Sequence, residues 1–92
     1  MSKQSSPCWF VYIIRTASNT LYTGVTTDVS RRFKQHSSGK GAKYLKGRSP
    51  ITLVFKQKIG SRSDAQRIEH WIKQQPKQAK ESIIEKLIEL PD

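Results

Sequence analysis

The pattern of apolar and polar positions divides the chain into strand-like and helix-like stretches. Residues 9–16 (WFVYIIRT) are aromatic or β-branched at nearly every position, which suits a strand covered on both faces and makes it the expected central strand. Ala17, Ser18 and Asn19 carry turn chemistry and lead into a second β-rich run, residues 21–26, so the two runs read as a hairpin. With those three residues as the loop, Tyr12 falls opposite Gly24. Tyr12 and Tyr22 then become diagonal neighbours on one face, because side chains two apart on a strand share a face.

Thr27 or Asp28 can cap a helix over residues 29–36, with Val29 and Phe33 as its apolar stripe. Residues 51–55 (ITLVF) read as a third strand. Ser63 and Gln66 have the spacing of a capping box, after which Ala65, Ile68, Trp71 and Ile72 recur at helical intervals until Pro76 ends or kinks the helix. A last amphipathic helix is expected over residues 77–90, with Ala79, Ile83, Leu87 and Leu90 on one side and Glu81, Glu85 and Glu89 on the other. The order β-β-α-β-α-α implies an α/β protein of the α+β type: a small three-stranded, mainly antiparallel sheet flanked by helices. One domain over residues 9–90 is expected behind a flexible polar leader at residues 1–8.

Charge changes this picture most. The chain has 92 residues and a formal net charge of +10. Residues 1–80 hold sixteen basic and three acidic side chains, whereas residues 81–92 hold one and four, so the positive field belongs to the body of the domain and invites a polyanion. Residues 37–50 contain three glycines, four basic residues (Lys40, Lys43, Lys46 and Arg48) and no acid, the composition of an exposed, backbone-contacting loop with Tyr44 as a stacking surface. The only cysteine, Cys8, excludes an intramolecular disulfide and a Cys-cluster zinc site, and a reducing, cytoplasmic location is expected. No apolar run is long enough to span a bilayer.

Val11-Tyr12-Ile13 and Tyr22-Thr23-Gly24, with the tyrosines ten positions apart, stand where the GIY-YIG nuclease superfamily has its two name-giving motifs. Arg32 and His36 on the first helix and Glu69 on the later one fall at that family's remaining active-site positions. With TGVTTDVSRRFKQH and GKGAKY, the chain resembles the small stand-alone bacterial members of the YhbQ/YazA type. The first motif departs from the family pattern in reading VYI, and position 25 is Val where some relatives carry a basic residue.

The resemblance implies a one-metal phosphodiester hydrolase acting on nucleic acid, DNA ahead of RNA, with Tyr12, Tyr22, Arg32, His36 and Glu69 as catalytic residues. Glu69 would hold one Mg²⁺ or Mn²⁺, hard cations that use few protein carboxylates and complete their shells with water and phosphate. Arg32 would clamp non-bridging oxygens with its planar fork. Tyr12, Tyr22 or His36 would serve as general base: a phenol needs a nearby cation to lower its pKa, whereas an imidazole needs less tuning. Arg31, Lys40, Lys43, Tyr44, Lys46, Arg48 and Lys73 would contact the nucleic acid. Each residue also has a plain reading: core tyrosines, a solvated Arg32, a His36 stabilised by the helix C-terminus, and a Glu69 paired with Lys73 one turn away. The alternatives to an endonuclease of DNA repair or processing are a non-catalytic nucleic-acid-binding module, or an accessory subunit whose C-terminal helix docks on a protein partner.

Overall fold

The computed structural model describes residues 7–91. Of the expected leader, residues 1–6 lie outside the described residues. Strands β1 (Trp9–Arg15), β2 (Leu21–Thr26) and β3 (Thr52–Gly60) form one antiparallel sheet in the order β2-β1-β3. Helices α1 (Val29–Ser37), α2 (Arg62–Lys73) and α3 (Lys77–Ile84) accompany it, with a short 3-10 turn at Lys43–Leu45. The fold is the α+β arrangement expected, with β1 in the centre.

The two faces of β1 feed two apolar clusters. Val11 and Ile13 pack with Phe55, Ile68, Ile72 and Ile83, which joins the sheet to α2 and α3. Tyr12 and Ile14 pack with Val29 and Leu45, which joins the other face to α1 and the 3-10 turn. Four consecutive buried residues, Val11 to Ile14, are the consequence, and they explain why β1 is apolar without alternation.

The hairpin has the register read from sequence. Tyr12 pairs with Gly24 and Ile14 with Tyr22. The Thr16 N–H donates to the Thr20 carbonyl at 2.9 Å, and Asn19 closes the loop at φ 68°, a left-handed position that Asn tolerates.

Other boundaries differ from expectation. β3 runs on past Phe55 to Gly60, because Lys56, Gln57 and Lys58 lie on an exposed edge strand where charge is compatible with pairing to β1 on one side only. The cap of α2 is Ser61 rather than Ser63: its Oγ accepts from the Asp64 N–H at 3.1 Å. The stretch after His36 is exposed only in part, since Leu45 inserts into the core at 1% exposure.

The last helix stops at Ile84, six residues short of the expected end. Lys86 sits at φ 63°, its N–H donates to the Ile83 carbonyl at 3.0 Å, and the Leu87 N–H donates to Ser82 at 2.8 Å, a Schellman turn built on a non-glycine residue. Beyond it Leu87 is 74% exposed instead of lying on an apolar helix face. Glu81, expected on the solvent side, makes a two-pronged contact with Arg15 at 2.7 Å that ties α3 to the end of β1.

Candidate active site

Tyr12 points from the centre of β1 toward α1, and its ring crosses the neighbouring strand at Gly24. A Cβ built on Gly24 would come within 2.5 Å of the Tyr12 hydroxyl oxygen, so the strand partner of Tyr12 has to lack a side chain. Tyr22, diagonal to it on β2, brings its ring to 6.4 Å from that of Tyr12. The hairpin register thus brings both motif tyrosines onto one face of the sheet.

Helix α1 supplies the next two groups. Asp28 caps it by accepting from the Arg31 N–H at 3.0 Å, which fixes where its turns begin. Arg32 and His36, one turn apart, then face the sheet. His36 is buried at 2% exposure and its ring lies 5.9 Å from Tyr12 and 5.6 Å from Tyr22. Its Nε2 is 2.9 Å from the Tyr12 hydroxyl, and its Nδ1 accepts from the Ala42 backbone N–H at 3.0 Å. Arg32 is half-buried and donates to the Gln35 side chain at 3.0 Å.

The electrostatics follow from burial. Loss of solvent, reinforced by Tyr22, pushes the Tyr12 phenol up to about 12, while the Arg32 guanidinium pulls the other way through a hydrogen bond and its charge, and the Glu69 carboxylate adds a smaller upward push. Burial first and the Arg32 charge second lower the His36 pKa below its ordinary value. Both causes favour the neutral imidazole, the opposite of what a cationic helix-terminal histidine requires.

Glu69 comes from the other layer. On α2 it is half-buried and pairs with Lys73 at 3.2 Å. Lys73 in turn lines a shallow groove of about 340 Å³ with Tyr22, Thr23, Tyr44 and Lys80. Helix α2, strand β2 and the loop after α1 thus meet at this groove, and the charge of Glu69 is felt at Tyr12. Of the acids before residue 81, Asp28 caps α1 and Asp64 pairs with Arg67 on an exposed face, which leaves Glu69 as the carboxylate beside the site. Among the described residues no group of three or more His, Cys, Asp or Glu side chains could hold a metal ion. One carboxylate suits a hard cation that is otherwise coordinated by water and a substrate phosphate.

The basic residues expected at the surface are there. Arg31, Lys40, Lys43, Tyr44, Lys46, Arg48 and Lys73 are all exposed. Tyr44 is less free than expected: its ring stacks on Tyr22 at 5.8 Å, and the Arg48 guanidinium lies 4.5 Å from its centre. His70 is exposed on α2.

Two motif tyrosines on adjacent strands, with Arg and His from the following helix, form a recognisable combination. The GIY-YIG catalytic domain matches residues 8–82. The chain belongs to the GIY-YIG family. It is 57% identical over 76 residues to the UPF0213 protein YhbQ of Escherichia coli, covering 83% of this chain and 76% of that protein. The UPF0213 protein of Citrobacter koseri is 55% identical over the same span. A UPF0213 protein from Bacillus halodurans, solved in solution by NMR, superimposes with a TM-score of 0.56 at 42% identity, covering 85% of this chain and 83% of that one. The site geometry described above lies within this GIY-YIG domain.

Three residues of the site make contacts that their sequence context does not reveal. Gly41, Ala42 and Leu45 hold the loop against His36 and the core. A glycine between two lysines in GKGAKY marks a close approach only once the neighbour is known. No helix among the described residues is long and apolar enough to cross a membrane.

Proposed function

We propose that this GIY-YIG domain is a divalent-metal-dependent endonuclease that hydrolyses phosphodiester bonds in DNA, with a preference set by the shape of the substrate. The observation that carries this reading is the convergence of Tyr12, Tyr22 and His36, with rings 5.6 to 6.4 Å apart, beside Arg32 and beneath a basic loop.

Hydrolysis needs an activated water, stabilisation of charge on the phosphorane-like transition state and help for the leaving oxygen. Arg32 supplies a guanidinium fork for the non-bridging oxygens. Tyr12 and Tyr22 place two phenols where a water can be oriented. Glu69 would hold the metal, which when bound supplies positive charge at the scissile phosphate. The exposed Lys40, Lys43, Lys46 and Arg48 bind the flanking backbone, and the Arg48–Tyr44 pair offers a flat cationic surface against a base or sugar. Contacts to phosphate position a backbone without reading bases, so this basic surface favours processing or repair of branched or nicked DNA over long-sequence recognition.

A second reading is favoured by one observation: the Glu69 carboxylate is already engaged by Lys73. On that reading the domain binds nucleic acid, alone or as an accessory subunit, without cutting it. In such a subunit the partner would meet exposed Leu87 and Ile88, since Ile83 of α3 is already buried in the domain's own core. A cleavage assay on branched, nicked, single-stranded and duplex DNA, with Mg²⁺, with Mn²⁺ and with chelator, separates the two. Metal-dependent nicking by the wild-type chain supports the enzyme. Binding to every substrate with no nicking in either metal supports the module.

A further inference from the structure

We propose that Gly41 and Ala42 are positioning residues that lock His36 as a neutral Nε2–H donor onto Tyr12, so that His36 orients the phenol and does not itself take the proton from water. The proton-acceptor part of this inference rests on the nuclease reading; the lock does not.

The device begins at the end of α1. Gly39, at φ 83°, closes a Schellman turn in which its own N–H donates to the His36 carbonyl at 3.2 Å and the Lys40 N–H donates to Gln35 at 2.9 Å. The chain reverses there, so residues 40–42 run back over the helix end that carries His36. Gly41 passes so close that a Cβ on it would fall 2.1 Å from His36 Nδ1 and 2.9 Å from its Cα. No side chain fits between loop and ring. Leu45, buried against Tyr12 and Ile14, pins the far end of the loop through the 3-10 turn.

The hydrogen bonds then decide the tautomer. A backbone N–H can only donate, and the one on Ala42 points at Nδ1 from 3.0 Å, so Nδ1 carries a lone pair and no proton. A neutral imidazole has one N–H, which must be on Nε2. Nε2 in turn lies 2.9 Å from the Tyr12 hydroxyl, which therefore accepts. Protonating His36 would set two N–H groups against each other across the Ala42 contact, and Arg32 opposes the same charge from the helix side. Tyr12 and Tyr22, the other groups against the ring, bring no compensating negative charge while they are phenols.

The consequence for Tyr12 concerns its anionic form. A donor at Nε2 stabilises a phenolate, whereas an acceptor there would stabilise the phenol. The loop therefore biases the pair toward Tyr12 as the group that accepts a proton once a bound cation offsets the cost of burial. With its Nε2 already protonated, His36 has no free lone pair on the side of the site.

Nitrogen-15 NMR of the histidine rings reads this directly, with His70→Gln used to assign the His36 signals. The wild-type protein is expected to show His36 protonated on Nε2 alone at pH 8 and to titrate below the ordinary histidine value. Gly41→Ala is expected to displace the loop, mix the tautomers, raise the His36 pKa toward its ordinary value and lower cleavage at least about tenfold. A wild-type His36 with its proton on Nδ1, or one that titrates with an ordinary pKa, overturns the lock whether or not the protein cuts DNA. The predicted tautomer in a wild-type protein that cuts nothing would overturn the nuclease reading and leave the lock standing. A folded Gly41→Ala protein that keeps both the wild-type tautomer and its cleavage rate also overturns it.

Discussion

Burial and the neighbouring Arg32 guanidinium lower the pKa of His36, which makes this one residue a source of pH-dependent stability. In the unfolded chain His36 takes up a proton near its ordinary value of about 6.5, and in the folded protein it resists doing so. The unfolded state therefore binds more protons below that pH. The stabilising contribution of neutral His36 is present above about pH 6.5 and is lost as pH falls below it. Urea unfolding across pH 8 to pH 5 should show this loss in the wild-type protein and a flatter profile in His36→Gln. Equal slopes in the two would mean that His36 is as easily protonated folded as unfolded. Arg32 makes a separate prediction, because its proposed role as a phosphate clamp depends on the planar fork as well as on charge. Arg32→Lys should retain most DNA binding in a gel-shift assay and lose most cleavage; equal cleavage rates would remove the phosphate clamp from the account.

At the level of elements, the loop between α1 and β3 carries both the exposed basic side chains proposed to meet phosphate and the backbone contact to His36. Lys40, Lys43 and Lys46 are exposed, so their loss should leave the core intact and change only the electrostatics. On duplex DNA the logarithm of affinity should fall against the logarithm of salt with a slope of about −0.9 per phosphate contact. Replacing the three lysines by alanine should flatten that slope by the number of contacts they make, and an unchanged slope would place the interface elsewhere. Strands β1 and β2 were legible because their residues are unambiguous and the turn between them fixes the register, so Tyr12 opposite Gly24 followed from the sequence. The motif likewise pointed to Arg32, His36 and Glu69. The end of α3 was not legible, because a lysine in the left-handed conformation at position 86 leaves no glycine signal. Nor was the Gly41–Ala42 contact, which depends on how far a reversed chain travels back over a helix end and not on any local preference.

Across the whole molecule, the sequence divides into a positive body and a negative C-terminal stretch, and Glu69, whose charge is felt at Tyr12, belongs to the positive part. That placement gives Glu69 two contrasting meanings. As a partner of Lys73 in an i, i+4 pair it would contribute about 0.3 to 0.5 kcal/mol to stability and nothing to chemistry. As the anchor of a divalent cation it would carry the reaction, while its negative charge slightly weakens metal-free binding to DNA. The measurement that distinguishes these meanings most directly is metal-dependent cleavage by Glu69→Gln beside the wild-type protein on the same substrate, with melting temperature recorded on both preparations. The account predicts that the variant melts within a few degrees of wild type, binds DNA as well or better without metal, and loses its cleavage. A folded Glu69→Gln protein that cuts as fast as wild type would contradict it.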